Sequence, residues 1–393
     1  MTVRPLRIMN IVGARPNMMK VAPLMAEMKH HDDLDPILVH TGQHYDYAMS
    51  QVFFDQLRMP VPNYNLEVGS GTHHSQTAEI IRRFGELVAT DRPDMVLVAG
   101  DVNSTIACAI VAAKENIPVV HVEAGLRSFD RSMPEEINRL LTDAISDLLF
   151  TTEESANRNL ANEGVSQEKV HFVGNLMIDS LVGALDLARA SVLRNELGLT
   201  PGGYAVLTLH RPSNVDDTEQ LKRTLDAILK IAERLPILFP CHPRTAARIA
   251  KAGIQGLKAW EGGAISGNGV WRMAPASYLD FLGLVEGAAL VLTDSGGIQE
   301  ETTYLGIPCL TYRENTERPV TVTLGTNKLI GSDPERLLQE ALATLDGNTT
   351  NEFGRVGAVP PLWDGKAAQR IVEVLKLYWR NRSDCGQRQV AAV

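Results

Sequence analysis

The chain has 393 residues, 44% of them hydrophobic and 22% charged, and its 38 basic against 47 acidic side chains give a formal net charge of −9. That length exceeds what one core usually organises and predicts two domains, and the acidic balance argues against a nucleic-acid partner. Cys108, Cys241, Cys309 and Cys385 lie far apart with no CxxC pairing, which speaks against a disulfide framework or a zinc site. With no cleavable leader pattern and no run of roughly 20 apolar residues, a cytoplasmic protein without a membrane partner is expected.

Short runs rich in Val, Ile and Leu alternate with longer amphipathic segments: Arg7–Val12, Pro36–His40, Met95–Ala99, Pro118–Val122, Leu148–Thr151 and Val170–Val173. Strands that are apolar throughout and separated by helices predict a parallel sheet covered on both faces. After a helical segment around Met177–Leu197 and the break Thr200-Pro201-Gly202-Gly203, the pattern restarts with Tyr204–Leu209, Ile237–Pro240, Val270–Met273, Leu290–Thr293 and Pro308–Thr311. The reading is α/β, with two doubly wound Rossmann-like domains facing across a cleft. Residues 1–174 form the first domain and 175–366 the second. The last amphipathic helix, about 367–393, packs back onto the first.

In such sheets ligands bind past the carboxyl ends of strands, so the residues there are the candidates. After the first strand, Gly13-Ala14-Arg15-Pro16-Asn17-Met18-Met19-Lys20 delivers Arg15 and Lys20 as cations, but neither GxGxxG nor GxxxxGK[ST] occurs, against nicotinamide or ATP binding. Thr41-Gly42-Gln43-His44-Tyr45-Asp46 offers hydrogen-bonding groups, Gln43 among them. Asp101 and Glu123 emerge at neighbouring strand tips, and Glu135 starts a helix in Met133-Pro134-Glu135-Glu136. Carboxylates crowding one cleft raise one another's pKa and supply a general acid and base, although Asp101 could instead cap the helix beginning near Asn103. His210 and His242 stand at strand tips of the second domain with no spacing that pairs them with further metal ligands, so no metal is expected. In Leu292-Thr293-Asp294-Ser295-Gly296-Gly297-Ile298-Gln299-Glu300-Glu301 an apolar strand breaks at two glycines and restarts as a helix, whose open N–H groups and dipole suit a phosphate. Asp294 or Ser295 would otherwise be that helix's N-cap. Arg318 suits a clamp on a diphosphate or, held by Glu301 or Glu317, a rigid piece of wall.

The ordered set GARPNMMKVAPL, TGQHYD, Gly100-Asp101, HVEAGLRS, PEEINR, HRPSN, LTDSGGIQEE and TERPVT resembles the non-hydrolysing UDP-N-acetylglucosamine 2-epimerases from about residue 6 to 375. The resemblance implies a GT-B type fold, a homodimer, no added cofactor, and reversible conversion of UDP-GlcNAc to UDP-ManNAc by loss and re-addition of UDP through 2-acetamidoglucal. It implies that Arg15, Lys20, Ser295, Gly296, Gly297, Glu301 and Arg318 hold the uridine diphosphate, that Phe281 lines the uracil pocket, and that Asp101, Glu123, Glu135 and His210 carry catalysis. Two departures stand out. Many members read HRRE or HRxEN where this chain has His210-Arg211-Pro212-Ser213-Asn214, and the threonine-rich run after the GD pair is here Val102-Asn103-Ser104-Thr105. Some members bind a second UDP-GlcNAc through positions including Gln43 and an arginine after the HR pair, and Pro212 offers no such group. A related UDP-diacetamido sugar or uronic acid as substrate, a hydrolysing epimerase, a glycosyltransferase and a sugar-nucleotide-binding regulator are the alternatives.

Overall fold

The computed structural model describes residues 4–43, 59–347 and 357–390, with the side chains of Arg15 and of residues 383–390 outside the described set. The chain divides into two compact units, Met1–Val182 together with Pro361–Val393, and Gly183–Pro360. The first division falls inside the helix Leu176–Arg189 rather than ahead of it. The helical stretch foreseen as far as Leu197 is interrupted after Arg189 and resumes as the short helix Leu193–Glu196, the Ser191 hydroxyl accepting from the Leu193 N–H between them.

The first unit holds a seven-stranded parallel sheet: β1 (Leu6–Val12), β2 (Leu34–His40), β3 (Tyr64–Asn65), β4 (Met95–Ala99), β5 (Val119–Val122), β6 (Leu148–Thr151) and β7 (Val170–Phe172), in the order β3-β2-β1-β4-β5-β6-β7. Ile8 and Val12 of β1 face one buried layer, while Met9 and Ile11 face the other. The side chain alternates with period two, so a strand buried on both faces is apolar at nearly every position, with Asn10 of β1 and His121 of β5 as buried polar exceptions.

The second unit repeats the plan with β8 (Ala205–Thr208), β9 (Pro236–Pro240), β10 (Leu257–Ala259), β11 (Gly269–Met273), β12 (Leu290–Thr293), β13 (Cys309–Thr311) and β14 (Asn327–Leu329), in the order β10-β11-β9-β8-β12-β13-β14. Its layers alternate in the same way, Leu207 and Leu292 on one side, Val206 and Val291 on the other. β3, β10 and β14 were not foreseen. Each is an edge strand of two or three residues, half covered and partly polar, and therefore lacks the continuous apolar run that marks the central strands.

The helix Ala367–Val390 packs on the helix Arg15–Met28, and its Ala367, Ala368, Ile371, Val372 and Leu375 enter one core layer of the first sheet. Its start is fixed by Asp179, whose carboxylate accepts from Ala367 N at 3.1 Å and Ala368 N at 2.7 Å. Burial pushes the Asp179 pKa up despite those two N–H donors. Upstream, Trp363 is fully buried and donates its indole N–H to Thr152 O at 2.9 Å. Asp179→Ala removes the acceptor for two otherwise orphan donors and should lower unfolding stability by about 1–2 kcal/mol, with Asp179→Asn losing less, as measured by urea denaturation followed by tryptophan fluorescence.

Candidate active site

Each sheet reverses its strand order once, between β1 and β4 in the first unit and between β8 and β12 in the second. At such a point the two connections leave in opposite directions and open a crevice past the carboxyl ends of the strands. Gly13 and Gly100-Asp101 stand at the first reversal; His210 and Asp294-Ser295-Gly296 stand at the second.

In the first unit Asn17 ties the two strand ends together. Its Oδ1 accepts from Gly13 N and Ala14 N at 3.3 and 3.2 Å, and its Nδ2 donates to Ala99 O at 2.6 Å. A Cβ on Gly13 would lie 2.1 Å from Ser104 Oγ, so only glycine fits there. Gly100 has φ +67°, and a Cβ on it would lie 2.8 Å from Lys20 Nζ. Lys20 is itself buried in an ion pair with Glu123, whose backbone also sits in the left-handed region at φ +67°. A non-glycine residue in that region persists only when its surroundings over-determine it.

Asp101 is ion-paired with Arg139, and its carbonyl accepts from Asn138 Nδ2 at 2.8 Å. It does not cap the helix Asn103–Lys114, where Val102 occupies the N-cap position. Arg139 also pairs with Glu136 at 2.8 Å, and the Glu136 carboxylate accepts from Ser128 N and Phe129 N, each at 3.0 Å. Burial works to raise the Glu136 pKa, but the Ser128 N–H and the Arg139 guanidinium hold it below the usual carboxylate range. The side chain of Glu135, half-buried on the first turn of the helix Pro134–Ile145, makes no hydrogen bond or ion pair among the described residues. Two of the candidate acids have a cation partner, Lys20 for Glu123 and Arg139 for Asp101, and for the buried Glu123 a counter-charge is needed because a buried carboxylate without one is costly.

Gln43 is buried, and its Oε1 accepts from Ser104 N and Ser104 Oγ at 3.1 and 2.6 Å, securing the start of the helix Asn103–Lys114. His44, Tyr45, Asp46 and the Arg15 side chain lie outside the described residues.

In the second unit Asp294 does at the reversal what Asn17 does in the first. Its buried carboxylate accepts from His210 N, Arg211 N and Asn214 Nδ2 at 3.0, 2.9 and 3.1 Å, and pairs with His210 Nδ1 at 2.8 Å. Burial alone would raise the Asp294 pKa; the His210 ring and the donors around it hold it below the ordinary value. A carboxylate only accepts, so His210 Nδ1 carries hydrogen and the half-exposed ring turns Nε2 to its other side. Asp294 is thus not the helix cap. Ser295 holds that position at the start of the helix Gly296–Leu305, and its side chain makes no capping bond.

Arg318 closes in on that helix start. A Cβ on Gly296 would lie 2.8 Å from the Arg318 guanidinium and 3.0 Å from Glu317 Oε1. Arg318 contacts Glu317 at 2.5 Å and Glu300 at 3.0 Å, so its acidic partners are Glu317 and Glu300 and not Glu301. Arg313 reaches Glu317 from the other side at 2.9 Å. Although burial opposes it, these two guanidiniums hold Glu317 far below the ordinary carboxylate range. Glu301 lies inside, beside Tyr278; burial, and after it the Glu300 charge, push its pKa up to about 8. Phe281 is half-buried on the helix Tyr278–Glu286, and His242 is exposed and caps the helix Pro243–Lys251, its Nδ1 accepting from Arg244 N at 3.2 Å.

The sequence reading passed over Asn17, Arg139, Asn214 and Glu300, which tie the sites together. The signals existed in the spacing, since Arg139 is four residues past Glu135 on one helix face and Asn17 lies four past Gly13, but neither names its distant partner, Asp101 at 38 residues and Ala99 at 82. Among the described residues no group of three His, Cys, Asp or Glu side chains is placed to hold a metal ion, and no helix is long and apolar enough to cross a membrane.

The family model described as UDP-N-acetylglucosamine 2-epimerase matches residues 26–376. A Methanococcus maripaludis protein named as a homolog of that enzyme is 42% identical over 94% of this chain and 99% of its own length. The UDP-2,3-diacetamido-2,3-dideoxy-D-glucuronate 2-epimerase of Pseudomonas aeruginosa is 38% identical, with 94% and 99% covered. The crystal structure of the Methanocaldococcus jannaschii UDP-GlcNAc 2-epimerase in complex with UDP-GlcNAc and UDP superposes with a TM-score of 0.81 at 38% identity, covering 95% of this chain and all of that one.

A carboxyl whose folded pKa lies above its unfolded value contributes stability in acid and loses it as pH rises through the folded pKa. For Glu301 the window runs from 4.5 to about 8. Glu301→Gln, which stays neutral, should therefore flatten the decline of unfolding free energy across that window and be the more stable form at its alkaline end, by on the order of 1 kcal/mol or more in urea denaturation.

Proposed function

Because the chain belongs to the UDP-N-acetylglucosamine 2-epimerase family, we propose that it reversibly interconverts UDP-N-acetylglucosamine and UDP-N-acetylmannosamine by inverting C2 of the sugar. No carbonyl next to C2 acidifies its hydrogen, so direct loss of that proton to a carbanion is too costly. The route is elimination: the bond from C1 to the β-phosphate oxygen breaks, its electron pair leaves with UDP, the C2 proton passes to a base, and 2-acetamidoglucal remains. Re-addition of the phosphate oxygen at C1, with a proton delivered to the opposite face of C2, gives the epimer.

The observation that carries this reading is the arrangement at the second unit's strand reversal, an uncapped helix start beside a glycine that leaves room for the Arg318 guanidinium. N–H groups, the helix dipole and a fork of N–H donors act together on charge that grows on a departing phosphate. His210, oriented by Asp294, binds or protonates the same diphosphate. Arg15, Lys20, Ser295, Gly296, Gly297 and Glu301 complete the nucleotide contacts and Phe281 meets the uracil. Asp101 and Glu123 or Glu135 divide the proton work as one base and one acid. Arg139 beside Asp101 and Lys20 beside Glu123 favour the ionised carboxylate, which suits whichever of the two is the base. Homodimeric assembly and a cytoplasmic setting belong to the same reading.

A diacetamido uronic acid is the second reading, favoured by the 38% identity to the Pseudomonas aeruginosa enzyme across nearly the full chain. Incubation with UDP-GlcNAc in deuterated water decides between them: UDP-ManNAc carrying deuterium at C2 is expected, with no free ManNAc, and unchanged substrate at high enzyme concentration overturns the choice of this nucleotide sugar. Asp101→Asn should abolish the exchange while UDP affinity stays within about tenfold by titration calorimetry.

A further inference from the structure

The strand β5 reads Val119-Val120-His121-Val122, one polar side chain in an otherwise apolar buried strand. His121 is 0% exposed. Its Nδ1 lies 2.6 Å from Asp143 Oδ1 and its Nε2 lies 2.9 Å from the carbonyl oxygen of Gly100. Both partners only accept, provided the Asp143 carboxyl is ionised, and its surroundings keep it so: burial opposes ionisation, but the His121 ring and Arg127 hold its pKa below the ordinary value. The Gly100 carbonyl can only accept, so Nε2 carries the hydrogen that bonds it, and the buried ring is held at both ends. Arg127 joins Asp143 at 2.7 Å and Glu163 at 2.6 Å, so the carboxylate that holds the ring is itself held from a second side.

The far end of this chain of bonds is the peptide that precedes Asp101. Gly100 is in the left-handed region, its N–H is spent on Val122 O at 2.9 Å, and its carbonyl is spent on His121. The next carbonyl, that of Asp101, is taken by Asn138, and the Asp101 carboxylate by Arg139. Asn138, Arg139 and Asp143 all belong to the helix Pro134–Ile145. That helix therefore holds the Asp101 loop directly at two points and through His121 at a third.

We propose that His121, carried by Asp143, is a positioning residue for the epimerisation: by donating to Gly100 O it fixes the peptide plane from which the Asp101 carboxylate projects. The proposal rests on the assignment of Asp101 to the proton transfer made above. Side chains that act on a reacting atom need their geometry held closely, and a misplacement of about 1 Å costs on the order of 100-fold in rate.

Two near-isosteric substitutions separate the two ends of the ring. His121→Gln keeps a donor where Nε2 stands and so keeps the bond to Gly100 O; His121→Asn keeps a donor where Nδ1 stands and so keeps only the bond to Asp143. With UDP-GlcNAc as substrate, His121→Asn is expected to lose at least about 30-fold in kcat with KM and UDP affinity within about threefold of wild type, and His121→Gln to stay within about threefold in kcat. Equal losses in both variants, or none in His121→Asn, overturn the proposal. Should His121→Asn not fold, His121→Ala is assayed with and without imidazole, where recovery of kcat supports the assignment and its absence overturns it. Asp101→Asn assayed alongside tells the two readings apart: if it still exchanges the C2 proton, the role given to Asp101 has failed, whereas exchange lost in Asp101→Asn but intact in His121→Asn defeats only the positioning role.

Discussion

Where a parallel sheet reverses its winding, two strand ends part company and their backbone donors turn inward with no ladder to join. A buried N–H left unpaired there costs about 1–3 kcal/mol, so something must answer it. This chain answers in each unit with one buried side chain spanning both strand ends: Asn17 links Gly13 and Ala14 to Ala99, and Asp294 links β12 to His210 and Arg211. The choice of group differs with the task. A neutral amide both donates and accepts, which suits a tie between two backbones. A carboxylate, accepting four times, draws a histidine ring into place as it closes the gap.

Charge follows from the same economy of space. Lys20 with Glu123, Arg139 with Asp101 and Glu136, and Arg127 with Asp143 and Glu163 are buried or partly buried sets in which opposite charges meet. Removing one member of such a set strands the other, which is why these groups come together or not at all. Glu301 departs from that pattern, walled off with another glutamate for a neighbour, and its carboxyl responds by holding on to its proton. The two kinds of acid in this protein are thus made by surroundings, not by residue type.

Much of the fold was readable in the order of residues, and the reasons are specific. The central strands announced themselves because burial on both faces favours runs dominated by Val, Ile and Leu, as in Met95–Ala99 and Leu290–Thr293. The edge strands Tyr64–Asn65, Leu257–Ala259 and Asn327–Leu329 carry no such demand and were invisible. The residues at the strand tips could be named from position alone. Their partners could not, because Arg139 meets Asp101 and Glu300 meets Arg318 only once the chain has folded. Local capping logic misled where a long-range bond was available: Asp101 and Asp294 each precede a helix start, yet one goes to an arginine on another helix and the other to a neighbouring strand's loop.

The return of the final helix to the first unit bears on how the polypeptide is made. Five of its side chains sit in the same apolar layer as β1 and β4, and its first turn is secured by Asp179, some 188 positions earlier in the sequence. The second unit is one uninterrupted stretch, Gly183–Pro360, whereas the first waits on residues that follow the second in the chain. During synthesis the inserted unit can therefore settle first, while its host stays open along one flank until the helix beyond Pro360 has emerged.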